Sequence, residues 1–325
     1  MKLKRLLPAV FTLLAIGAAV AVWPQAAAHW PSLDRVPPWA WVVGVAGMLA
    51  SYAFRGMRIR AEWKGRYPLS TAHAIELTLL HIAAINVVPM RAGELGYPLM
   101  LNRRFGVPFA DAATSLAWMR FQDATLLGSI VVAGGSLLLA MLGRLPWAVA
   151  IAASLAMVVL VAALVLRAAR WGHAAQSWWA ALRPGPQRAR WLAVLHGALA
   201  AVLAASARNK AATWGWSLAS WGVKVLSLSV LLSAVAGIGS VAGLCGVLGG
   251  EIAGALPVQP QSGFGTYEAG SALAASACSA APWARLLGAA LVVHLVVLGT
   301  SLAGAGVAWL LVKPAPPLPG PGGTP

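Results

Sequence analysis

Apolar residues run along this chain in long blocks, and the blocks are separated by short clusters of basic residues, prolines and glycines. Neither the strict alternation of a half-buried strand nor a single apolar stripe is visible; the blocks are hydrophobic all round, as membrane-spanning helices are. Spans are predicted at Met1 to Val22, Trp39 to Phe54, Ala112 to Leu142, Trp147 to Leu166, Thr213 to Ala236 and Trp283 to Val312. The first block, with Lys2, Lys4 and Arg5 ahead of it and Ala26-Ala27-Ala28 behind it, imitates a secretory signal peptide. It is longer than the usual apolar region of about 7–15 residues, so an uncleaved span entering from the cytoplasm is expected.

The charges orient these blocks. Arg55, Arg58, Arg60, Lys64 and Arg66, with Glu62 as the sole acid, mark a cytoplasmic loop by the positive-inside bias. Arg103 and Arg104 mark the next loop as cytoplasmic too, so residues 69–100 must leave and return on one side. Arg144 and Pro146 form a tight outer turn. From Arg167 to Lys210 the chain carries seven basic residues and no acid. There Trp171, Trp178 and Trp179 suit an interfacial helix, and Trp191 to Ala205 is either interfacial or a thin span.

Two apolar blocks are interrupted at their centres. The first interruption is Pro89-Met-Arg91-Ala-Gly93-Glu94, with Gly96 and Pro98 beyond it. The second runs from Pro257 through Gln259, Gln261, Gly263, Gly265 and Tyr267 to Glu268, after the glycine-studded block Gly237 to Gly254 that carries Glu251. Proline removes a backbone donor and glycine adds freedom, so both places predict broken helices. Two re-entrant or broken hairpins follow, the first entering from the cytoplasm and the second from outside, as a possible inverted repeat. Exposed half-helix ends of that kind form ion or headgroup sites in transporters; the plainer alternative is that these residues only terminate short helices.

Composition agrees with the pattern. Hydrophobic residues make up 60% of the 325 positions and charged residues 10%, against about 25% charged in soluble domains. The net charge of +16 lacks an aromatic-interleaved basic face, which argues against nucleic-acid binding and for loop bias plus anionic headgroups. Cys245 and Cys278 have neither zinc nor disulfide-framework spacing and are expected to be small buried hydrophobes. His73, Glu76 and His81 lack metal-ligand spacing, so neither metal nor cofactor is expected, and no catalytic motif is visible. Residues 1–312 are expected to form a single all-α polytopic membrane domain, and residues 313–325 a disordered Pro/Gly tail.

Ionisable groups within apolar blocks cost about 2.5–3.5 kcal/mol each at membrane depth. A lipid phosphate needs a counter-charge to cross hydrocarbon, and an arginine fork suits phosphate oxygens. Arg91 and Arg120 are therefore candidates for a headgroup clamp, with Glu94, Asp123, Glu251 and Glu268 balancing them or receiving an amine. Arg120 and Asp123, three apart on one helix, are equally readable as a structural pair. Pro89, Gly93, Pro257, Gly263 and Gly265 would shape the tips. Arg104, Tyr267 and Lys224 are secondary candidates; Lys224 is expected to snorkel, to pair, or to touch a headgroup, and Tyr267, Gln259 and Gln261 to hydrogen-bond a ligand or cap a helix.

Pro89-x-Arg91-Ala-Gly93-Glu94, Arg103-Arg104-Phe-Gly-Val, Arg120-x-x-Asp123 and the Pro257 to Glu268 stretch, in that order, resemble the flippase-like transmembrane region of lysylphosphatidylglycerol synthases and its stand-alone relatives. The resemblance covers roughly residues 10 to 312. It implies a multi-pass protein of the bacterial inner membrane, N-terminus cytoplasmic, that moves an anionic or aminoacylated polar lipid between leaflets, with a separate lipid synthase as candidate partner. The alternative it allows is a non-transporting subunit or anchor for a lipid-modifying transferase, docked through residues 167–210. Two departures stand out: Gly96-Tyr97-Pro98 where the family has further basic residues, and His294 where it often has an arginine.

Overall fold

The computed structural model describes residues 30–141, 143–181, 211–256 and 260–312. Among them the protein is helical: α1 (Pro38–Trp63), α2 (Thr71–Val87), α3 (Gly96–Phe105), α4 (Phe109–Met141), α5 (Trp147–Ala181), α6 (Ala211–Ala236), α7 (Ser240–Gly254), α8 (Thr266–Ser276) and α9 (Trp283–Leu311). Short 3-10 turns cover Leu33–Arg35, Pro89–Leu95 and Gln261–Gly263. Among the described residues four segments are long and apolar enough to cross a membrane, Phe109–Met141, Trp147–Arg167, Ala211–Ala236 and Trp283–Leu311, while α2 and α7 are shorter apolar helices. Each of the four coincides with a block predicted from the sequence.

Local chemistry sets the helix ends. The Ser70 hydroxyl accepts from the His73 N–H at 3.2 Å and caps α2. At the end of α4, Gly143 at φ +68° lets its own N–H reach Ala140 and the Arg144 N–H reach Leu139, the paired closure that a left-handed residue permits.

The chain divides into two compact units. The first contains residues up to Met57, Ser70–Gly96 and Ala219–Pro314, and therefore most of α1, all of α2, and α6 from Ala219 through α9. The second contains Arg58–Leu69 and Tyr97–Leu218, and therefore the end of α1, α3 to α5 and the start of α6.

In the first unit, α7 and α8 lie against one another through glycine. A Cβ on Gly249 would fall 2.4 Å from the Gly270 carbonyl oxygen, and one on Gly270 would fall 2.5 Å from the Ala253 Cβ. Lipid supplies no hydrophobic drive between helices, so close approach of small residues is what holds such a pair. Gly270→Val is expected to lower the apparent unfolding midpoint in detergent, at a cost of about 1–3 kcal/mol for overpacking. The control Gly134→Val, where a Cβ would meet nothing within 4 Å, should leave far more of the midpoint intact.

In the second unit the Trp63 indole N–H donates to the Tyr97 hydroxyl at 3.1 Å, which lies 3.1 Å from the Ser115 hydroxyl. Trp63 and Tyr97 are fully buried, so this chain of bonds fastens the end of α1 to α3 and α4.

One expectation is corrected here. The basic stretch after Phe54, predicted as a cytoplasmic loop, is the last third of α1, helical to Trp63. Arg58 and Glu62 within it are buried, each 6% exposed. Hydropathy alone assigns charges behind an apolar block to water, but a paired guanidinium stays inside.

Candidate functional site: paired charges and two interrupted helices

The first interruption begins where the extended Val88 follows α2, and Pro89–Leu95 then forms a 3-10 turn before α3. Gly93 is buried against the last turns of α2; a Cβ there would sit 2.1 Å from the Ala84 carbonyl oxygen. Only glycine fits so close a return of the chain. Glu94 is half-buried on this turn. The side chains of Pro89 and Arg91 lie outside the described residues.

The second interruption lies between α7 and α8. Pro257 and Gln259 lie outside the described residues, as does the Gln261 side chain. Gly263 and Gly265 have φ of +80° and +84°, and Ser262 has φ +56°, so this turn uses left-handed backbone three times in four residues. Gly265 then opens α8, and its N–H donates to the Glu268 carboxylate at 2.6 Å, the backward half of a capping box.

The two interruptions meet within the first unit. The 3-10 turn Gln261–Gly263 packs against both α2 and Pro89–Leu95. The Ser262 hydroxyl donates to the main-chain carbonyl of Asn86, while the Asn86 side-chain amide donates to Ser301 of α9 at 2.8 Å. Asn86 thus joins the end of α2 to the second interruption and to α9.

Charge is buried on both sides of the second interruption. On α7, Glu251 accepts from Lys224 of α6 at 2.6 Å, with side-chain exposures of 10% and 12%. On α8, the other Glu268 oxygen lies 2.7 Å from His294 Nδ1 of α9, with side-chain exposures of 9% and 6%. Tyr267 stands beside these pairs: its ring fills the space over Gly250 and lies 4.7 Å from the His294 ring, with Phe264 at 4.9 Å. The Tyr267 hydroxyl is buried without a hydrogen-bond partner among the described residues. Trp221 of α6 carries the Lys224 ammonium and the Arg55 guanidinium each 5.4 Å from its ring centre, within cation–π range, and Arg55 Nε also donates to Ser220 at 3.1 Å.

The second unit holds its own charge cluster. Arg58 of α1 grips Asp123 of α4 with both terminal nitrogens, at 2.6 and 3.3 Å, in the bidentate form that favours arginine. Ser217 of α6 bonds both the guanidinium and the carboxylate. Arg120 lies farther from Asp123, at 3.9 Å, and is 35% exposed. Arg104 is half-buried near the end of α3.

Asp123 is held by Arg58 and also keeps the predicted Arg120 neighbour at 3.9 Å, while Glu251 is held by Lys224 and Glu268 by His294; Arg91 and Glu94 belong to the first unit and Arg120 and Asp123 to the second. Lys224 takes the paired form of its predicted alternatives. Arg58 and the role of His294 as a partner of Glu268 were not anticipated. The cysteines differ from expectation as well: both are half-buried, and their sulfurs lie 3.2 Å apart.

Apolar spans, interrupted helices and internally paired charges define a multi-pass helical membrane protein. The chain matches the family described as Lysylphosphatidylglycerol synthase TM region over residues 10–304, and it belongs to that family. Comparison with curated proteins and with solved structures gives no match.

Proposed function

We propose that this protein moves a polar lipid with an anionic or aminoacylated headgroup between the leaflets of the bacterial inner membrane. One observation carries the reading: in the first unit, two interrupted helices meet beside buried Lys224–Glu251 and Glu268–His294 pairs. Burying a Lys–Glu ion pair and a carboxylate–imidazole contact is no efficient route to stability, because apolar residues of similar volume often do as well. Their presence is instead suited to exchange. A lipid phosphate competes with Glu251 for the Lys224 ammonium, and the released carboxylate is then available to an amine on the same headgroup. Both interruptions re-enter the membrane in this reading, so that their helix ends lie near the passing headgroup.

Arg91 on the first interruption adds a second phosphate contact, and Arg120, in the second unit, is a separate candidate contact. The N-terminus is cytoplasmic, and a separate lipid synthase supplies the substrate. The test is transbilayer movement of a headgroup-labelled anionic lipid in liposomes containing the purified protein. Movement above that of protein-free liposomes is expected, with a loss in Arg91→Ala and a smaller one in Arg120→Ala. Equal movement with and without protein would leave an anchoring role for a lipid-modifying transferase.

A further inference from the structure

We infer that Cys245 and Cys278 are a dithiol–disulfide couple that ties the start of α7 to the end of α8. They are the chain's two cysteines, 33 residues apart in sequence, yet their sulfurs come to 3.2 Å. A formed bond is about 2.05 Å, so closing it needs side-chain rotation and little movement of backbone. Cys245 lies on the second turn of α7 and Cys278 two residues beyond α8. The Cys278 N–H donates to Ala275 at 3.0 Å, which fixes its backbone against the helix end. The glycine contacts described above hold α7 and α8 side by side, so the thiols face one another before any oxidation. Both residues are half-buried rather than sealed in the core, leaving a small thiol reagent a path to them.

The chemistry is thiol–disulfide exchange with an external disulfide as oxidant. One cysteine thiolate attacks the external disulfide, forming a mixed disulfide and releasing one thiol. The second cysteine then displaces the other thiol. Two protein thiols lose their hydrogens as the closed bond forms, and the external disulfide is reduced to two thiols. The pair lies at the end of the α7–α8 hairpin away from the second interruption, next to the turns 237–239 and 277–282. Arg208 and Lys210 precede α6 and Lys313 follows α9, which by the positive-inside bias puts this end outside, where the periplasm is oxidising. That compartment rests on the orientation proposed above; the pairing of the thiols does not.

The experiment uses the full-length protein in lipid nanodiscs. After reduction and removal of reductant, oxidised glutathione is added, and free thiols are counted by maleimide labelling and intact mass. Wild type is expected to lose nearly all maleimide incorporation, with a mass lower by two hydrogens and no retained glutathione. A peptide joining Cys245 to Cys278 should appear on digestion and vanish on reduction. Cys278→Ser should instead retain one glutathione on Cys245 or stay open to maleimide. Wild-type protein that keeps both thiols reactive, or that accumulates glutathione on both, would overturn the inference. Transport is not measured, so failure of the lipid-movement reading leaves this result standing, and the reverse also holds.

Discussion

Arg58→Met should lower the apparent unfolding midpoint of the detergent-solubilised protein, and by more than Gly270→Val does. The guanidinium and Asp123 are 2.6 Å apart with side-chain exposures of 7% and 10%. Removing the guanidinium takes the closest counter-charge from the buried carboxylate, and breaking a buried pair in this way costs about 3–5 kcal/mol. Arg120, at 3.9 Å and 35% exposed, offsets only part of that loss. Ser217 would still donate to the carboxylate at 3.3 Å, softening the loss without cancelling it. The double variant Arg58→Met with Asp123→Leu should recover most of the midpoint, since a well-packed apolar pair of similar volume is often neutral. A double-mutant cycle that shows no coupling between the two positions would refute the pairing. An unchanged midpoint in Arg58→Met alone would do the same.

Lys224→Met is the corresponding experiment on transport, and its expected effect is a ten- to hundredfold slowing of anionic-lipid movement. The figure follows from a hydrogen bond to a charged group, worth about 1.5–3 kcal/mol, at about 1.4 kcal/mol per tenfold. Stranding Glu251 would also destabilise the fold, so the informative variant is Lys224→Met with Glu251→Gln, in which no unpaired charge remains. That protein should keep its unfolding midpoint while its lipid movement stays slow. Lys224→Arg should retain much of the rate, because a cation still faces the headgroup. A lipid with a neutral headgroup should respond much less than an anionic one. Wild-type rates in the double variant would remove Lys224 from the proposed site.

The sequence made some features plain and concealed others for identifiable reasons. Helix ends at Met141, Ala236 and Leu311 fall within a residue of the apolar block boundaries, because a span must match a slab of hydrocarbon. Both helix breaks were legible from proline and glycine, whose effects are local. The capping of α8 by Glu268 was not anticipated, although Glu268 stands three residues after Gly265 and that spacing lets a carboxylate return to the opening N–H. Arg58 was hidden because its partner lies 65 residues away, and position beside an apolar block says nothing about such a pairing. The same holds for Lys224 and Glu251, 27 residues apart, and for the cysteines. Each had a credible environment of its own, and only the tertiary packing of α6, α7 and α8 chose between the alternatives.

The Ser262 hydroxyl on the Asn86 carbonyl is the fastening between the two interruptions, and neither of its atoms titrates. It involves none of the side chains that form the Lys224–Glu251 and Glu268–His294 contacts. Substitutions that remove those contacts therefore leave this clasp in place, and the chain keeps its frame where its two bends lock together.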